Sequence, residues 1–201
     1  MRSGGLGVLV LGAAAGCHEP DPGGSSSSGP ETPMAASSSS TGADTSGGAG
    51  PGSTRSLVIP QAWLPTTATE DPFADERPPQ VECALGWAVE TGAFEVDTEL
   101  CLYGAFSQPS RAQIRRGETL ELVLLHDALY APQPATAHLA LALGEAIVWE
   151  TELPIPSEPG LLRPSWTATA DVAQGTPVHY HVHNHGTNNY RLIDLTVTRL
   201  R

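Results

Sequence analysis

The sequence predicts an all-β fold, a single antiparallel β-sandwich or jelly-roll domain that follows an export signal and a disordered linker. Three observations predict it. Apolar residues between about residue 56 and residue 201 recur mostly with period two, the period of a strand that buries one face. Gly, Pro or Asn punctuates the chain between these runs. No helical apolar period intervenes between them, so two packed antiparallel sheets are the expected architecture.

The elements follow in chain order. Residues 1–16 have the layout of a signal peptide: Arg2 gives a positive start, Leu6 to Ala15 an apolar core too short to span a bilayer, and Ala14-Ala15-Gly16 a small-residue cleavage point. Cys17 follows directly. The string Ala14-Ala15-Gly16-Cys17 resembles the lipobox of bacterial lipoproteins, although that family usually has Leu where Ala14 stands. The resemblance implies acylation of Cys17 and a membrane partner reached through that lipid anchor. With His18 after the Cys in place of Asp, it implies an outer-membrane lipoprotein, at the cell surface or on the periplasmic face. Several acyl chains on one Cys exceed the two signals that stable anchoring needs. The plainer alternative is a secreted protein with Cys17 left as a free thiol.

Residues 17–55 form the expected linker. Beyond Cys17 they include two runs of four serines, at 25–28 and 37–40, and no aromatic, Leu, Ile or Val residue, so nothing there offsets the entropy of ordering. A Gly/Ser-rich tether of this length has a root-mean-square reach of roughly 30–35 Å.

Within the domain expected at 56–201, Thr66 to Gln80 is an irregular acidic lead-in. Val81 to Val89 alternates through Cys83, Leu85, Trp87 and Val89, and Phe94 to Leu102 alternates after the Thr91-Gly92 turn. Glu118 to Leu125 follows Gly117. Thr136 to Leu143 and Ala146 to Leu153 flank Gly144-Glu145, a Gly-X pair suited to a type II′ hairpin. Trp166 to Val172, Pro177 to His183 and Tyr190 to Leu200 complete about eight strands. Two of them are entered through similar strings, Arg116-Gly117-Glu118-Thr119-Leu120 and Gln174-Gly175-Thr176-Pro177-Val178. These strings resemble the strand entries of secreted β-sandwiches such as jelly-roll carbohydrate-binding modules and cupredoxin-like domains. That resemblance implies the fold class and a glycan or protein ligand.

Charge narrows the partners. The 22 acidic residues face 10 basic ones, all Arg, for a net charge of −12. Nucleic acid and anionic membrane surfaces both require a positive footprint, so neither is an expected partner.

With Cys17 assigned to lipid, Cys83 and Cys101 remain as a pair, and an oxidising compartment makes a disulfide the expectation. The register complicates it. A two-residue turn at Thr91-Gly92 pairs Trp87 with Val96 but sets Cys83 opposite Leu100; a three-residue loop sets Cys83 opposite Cys101 but puts Trp87 against Asp97. Either a bulge intervenes or the bond joins segments that are not simple partners.

The most pointed chemistry is His179-Tyr180-His181-Val182-His183-Asn184-His185. Four of the seven His stand at spacing two, which on a strand sends them to one face and Val178, Tyr180 and Val182 to the other. Neutral imidazoles so placed suit a shared zinc or copper ion, with His126 and His138 on other strands available to complete the set. Gly175, His181 and His183 resemble the opening of the cupin motif, but no Glu follows at the cupin spacing, where Thr187 and Asn188 stand. His183-Asn184-His185-Gly186 is similar to the short strings of multicopper oxidases, which carry several. The bland alternative is a solvated His face on a strand whose other side is core. Trp63, Trp87, Trp149 and Trp166 are expected as core anchors in preference to a sugar-stacking platform. The acids Glu70, Asp71, Asp75 and Glu76 lack the regular spacing of a calcium loop and are expected to form a solvated surface. No catalytic residue is assigned. The expected function is a membrane-anchored β-sandwich binding or structural module; the alternative is a zinc- or copper-binding protein, with or without enzymatic activity, using His179, His181, His183 and His185.

Overall fold

The computed structural model describes residues 52–199. The expected signal peptide, Cys17 and nearly all of the linker lie outside the described residues. What is described is two antiparallel sheets packed face to face.

The strands are β1 (Thr54–Ser56), β2 (Leu64–Pro65), β3 (Trp87–Glu90), β4 (Ala93–Asp97), β5 (Tyr103–Pro109), β6 (Thr119–His126), β7 (Ala135–Leu143), β8 (Ala146–Ile155), β9 (Gly160–Leu162), β10 (Ser165–Thr167), β11 (Pro177–His183) and β12 (Asn189–Thr198). One sheet runs β10-β6-β12-β4-β3, with β1 added to β12 and β9 to β6; the other runs β2-β5-β11-β7-β8. Period-two patterning explains the pairing. Leu120, Leu122 and Leu124 of β6 turn inward, as do Val178, Tyr180 and Val182 of β11, and all are buried between the sheets. Phe94 sits at the centre of this core, with ring centroids 4.9 Å from Phe106 and 5.6 Å from Trp63. Trp63 is enclosed and the other three Trp pack against the core, so the tryptophans serve as anchors.

Two hairpins follow the turn chemistry of the sequence. Thr91 and Gly92 both have positive φ (49° and 84°), and this two-residue turn pairs Trp87 with Val96. Gly144, with φ of 60°, turns β7 into β8.

The Cys83–Cys101 disulfide forms, and the register difficulty dissolves because both residues lie beyond the ends of the β3–β4 ladder. Cys83 precedes β3, and Cys101 lies in the turn between β4 and β5. The expected strands at 81–89 and 94–102 are therefore too long. Leu85, Leu100 and Leu102, which the alternation placed inside, are exposed at 82%, 52% and 52%.

Candidate metal centre

The outer face of the β2-β5-β11-β7-β8 sheet carries the His run. Alternation along β11 leaves His179, His181 and His183 pointing away from the inter-sheet core. Register then builds rows across the strands. His183 lies between Tyr103 of β5 and His138 of β7, and His138 faces Glu152 of β8. One row along, His181 lies between Ala105 and Ala140, and Ala140 faces Glu150. Alanines thus flank His181 on both sides, and these small residues leave a trough.

The acidic lead-in fills that trough. Phe73 packs with Ala140 and Ala142 and stacks on the His181 ring at 4.6 Å and 21°. The turn that follows, Ala74–Glu76, carries the Glu76 carboxylate over the imidazoles. Asp71 holds this segment in place. Its carboxylate accepts hydrogen bonds from the Phe73 N–H (2.9 Å), the Tyr103 hydroxyl (2.6 Å) and the Arg77 guanidinium (2.7 Å). Burial alone pushes the Asp71 carboxyl upward; these hydrogen bonds outweigh it and leave the group below its ordinary value. The same contact and burial push the Tyr103 hydroxyl upward, so it stays a donor. The expectation of a solvated acidic surface is therefore corrected at Asp71, whose side chain is fully enclosed.

Three ligand atoms converge here. Donor atoms of Glu76, His138 and His181 all lie within 4.8 Å of one another. Glu76 Oε2 is 3.0 Å from His138 Nδ1, 3.6 Å from His181 Nε2 and 3.5 Å from His183 Nδ1. Tetrahedral zinc bonds of about 2.0–2.1 Å imply ligand–ligand edges of about 3.3 Å, which these separations bracket. His181 is fully buried, and neither of its ring nitrogens has a hydrogen-bond partner among the described residues. An imidazole so placed is costly unless something else satisfies it. Burial lowers its pKa to about 4 against the opposing pull of Glu76, so at neutral pH the ring is in the uncharged form that ligates metals. Burial raises the Glu76 carboxyl, and the bond from His138 with the surrounding imidazoles pulls it below its usual value. On the far side of His138, Nε2 faces Glu150 at 3.5 Å.

Of the four His singled out in the sequence, only His181 belongs to this triad. His183 borders it, with a 30% exposed side chain. His179 is buried two residues away, with Nδ1 unpartnered among the described residues. His185 leaves the strand: Asn184 turns inward, donating to Thr98 Oγ1 (2.7 Å) and accepting from the Tyr190 hydroxyl (3.0 Å), and the chain bends after it. His138, one of the two His on other strands expected to complete the site, does so. Glu76 was visible only as one acid among several, and His126 lies on the other sheet.

No family model matches this chain, and no curated protein matches it. Among solved structures it is similar to a xylan-binding module, CBM15 (9% identity, 75% of this chain and 99% of that chain, TM-score 0.45). It is also similar to the N-terminal cellulose-binding domain of the Cellulomonas fimi β-1,4-glucanase C (15% identity, 76% and 99% coverage, TM-score 0.44). A third is a structure described as CBM4 (14% identity, 70% and 88% coverage, TM-score 0.43). The two-sheet architecture stands on the strand pairing given above.

Proposed function

We propose that this protein is a membrane-tethered β-sandwich module that binds one divalent transition-metal ion, zinc or copper, through Glu76, His138 and His181. The observation that carries the reading is the fully buried His181, whose ring nitrogens find no hydrogen-bond partner among the described residues while a carboxylate and a second imidazole stand within ligand distance of it. Two imidazoles and a carboxylate are a donor set suited to zinc or copper and poorly suited to magnesium or calcium, which take oxygen. A bare network of ion pairs explains the cluster less well. Glu76 satisfies His138 directly but stands 3.6 Å from His181, too far for a hydrogen bond.

Titration of protein prepared without a polyhistidine tag tests this. One equivalent of zinc or copper is expected to bind with micromolar or tighter affinity. Absence of binding at micromolar metal would end the reading.

The tether is proposed from Cys17 and its lipobox-like surroundings, with the outer membrane as the location. Labelled fatty acid is expected to enter the wild-type protein and not the Cys17→Ser variant, which should appear in the soluble fraction. Equal labelling of both would remove Cys17 as the anchor. A glycan or protein ligand stays a secondary proposal, resting on the sandwich architecture alone.

A further inference from the structure

The metal centre is covered at His181 and open at its other two members. Phe73 and Tyr103 pack on the buried His181 ring, with centroids 4.6 and 4.8 Å away. Glu76 and His138 instead line a cavity of about 440 Å³, whose other walls are Glu150, Thr151 and Glu152 of β8. Register explains the acids. Glu152 faces His138, and Glu150 faces Ala140 beside His181, so each carboxylate ends a row that carries an imidazole. Side chains paired across a ladder share a face, which sets both carboxylates on the face of the triad. β8 is the last strand of its sheet, and the Glu150 side chain is 62% exposed. No Arg lines the cavity, and the chain has no Lys to neutralise it.

Four protein donors close a tetrahedral zinc site, whereas three leave a position for water or an exogenous molecule. Resting on the metal reading above, we infer that the ion held by Glu76, His138 and His181 keeps its fourth position open toward this acidic cavity, where it takes a cationic organic ligand. Such a ligand coordinates through an uncharged donor and offers an ammonium or guanidinium group to Glu150 and Glu152. Two of the three metal ligands line the cavity, which fixes the direction of the open position. Charge decides the class. A divalent ion neutralises Glu76 with one positive charge to spare, and Glu150 and Glu152 together outweigh it. The field at the far end of a coordinated ligand is therefore negative. Because Glu150 is exposed, salt screens this selection.

Cobalt(II) provides the test, because its visible absorption reports coordination directly. Three probes bring the same nitrogen to the ion: pyridine, 4-(aminomethyl)pyridine and pyridine-4-carboxylate. They differ in the charge on the far side of the ring. The full chain without a purification tag, loaded with cobalt, is titrated with each at low ionic strength. The aminomethyl compound is expected to bind about tenfold tighter than the carboxylate, with pyridine between them, and added salt should narrow the gap. The double variant Glu150→Gln, Glu152→Gln should bring the three probes within about threefold of one another, while cobalt affinity falls by less than about tenfold. Equal affinities in wild type, or a tighter carboxylate, would overturn the ligand class. If cobalt binds but no probe moves the spectrum, the inference is overturned and the metal reading stands. A hundredfold loss of cobalt affinity in the double variant or in His183→Ala would then name the protein ligand that closes the site. A second equivalent of cobalt, lost in the double variant, would give the acids to a second ion and overturn the inference as well. No cobalt binding at all would overturn both the inference and the metal reading.

Discussion

Replacing Glu76 with Gln, or His181 with Ala, is expected to weaken zinc binding by two orders of magnitude or more, while His179→Ala and His185→Ala stay within about threefold of wild type. A hundredfold loss corresponds to about 2.7 kcal/mol. The asymmetry follows from placement. Glu76 Oε2 lies within 3.0–3.6 Å of three imidazoles, so it is the donor on which the others converge. His181 is the ligand whose nitrogens have no other partner among the described residues. His179 and His185 stand outside the convergence, although they share the spacing that drew attention to the run. Glu76→Gln is the cleaner of the two variants, since it keeps the shape of a partly exposed side chain; His181→Ala also removes the ring beneath Phe73. A thermal readout separates the effects. Zinc at a hundred times its Kd stabilises a folded protein by about 2.7 kcal/mol. For a domain of this size that raises Tm by roughly 5–10 °C. The rise should be present in wild type and in His179→Ala, and absent in Glu76→Gln whatever the starting Tm. Unchanged zinc affinity in both Glu76→Gln and His181→Ala would refute the assignment.

The His run made part of this centre legible in the sequence. Spacing of two along a strand sends His179, His181 and His183 to one face by geometry alone, with Val178, Tyr180 and Val182 as the matching core side. His138 was readable as a strand residue of the right type, but only the register of β7 against β11 sets it beside His183. Glu76 was not readable. It lies 62 positions before His138, in an irregular segment where no period fixes which way a side chain points. Its neighbours Glu70 and Asp75 are chemically similar and exposed. A signal did exist nearby, in the small side chains beside the imidazoles. Ala105, Ala140 and Ala142 flanking a His strand describe a face with room for another layer, and Phe73 is the apolar residue of the lead-in that fills it.

The strand expected at 94–102 ends early for a local reason. Period two extends through Leu100 and Leu102 as cleanly as through Phe94 and Val96, yet the strand ends at Asp97. Hydrogen bonds decide the matter: the Asp97 side chain accepts from the Glu99 N–H at 2.9 Å, and Thr98 N–H donates to Asn188 O at 2.9 Å, turning the chain away from β3. Asp beginning such a turn is a local capping choice that competes with the ladder. The alternating leucines beyond it are then left to wall a groove of about 420 Å³.

Removing the disulfide as the double variant Cys83→Ala, Cys101→Ala is expected to cost about 3 kcal/mol, from the closure entropy of a loop of this length. A fall in Tm of roughly 6–12 °C should accompany it. The bond joins the segment before β3 to the turn after β4, and close packing makes that junction rigid. Gly86 N-terminal to β3 lies so near the turn that a Cβ there would meet the Asp97 carbonyl oxygen and the Leu100 backbone, each at 2.8 Å, as well as the Cys101 side chain. These two segments carry Gln80, Glu82, Glu99, Leu100 and Leu102, which wall the groove. Glu76 is held independently of the bond, through Phe73 on His181 and through Asp71 with its partners Tyr103 and Arg77. The double variant should therefore lose thermal stability and become sensitive to protease between residues 78 and 86, while its zinc affinity changes by less than about threefold. A parallel collapse of zinc affinity would mean instead that the disulfide, and not the Asp71 contacts, sets the position of the Glu76 carboxylate.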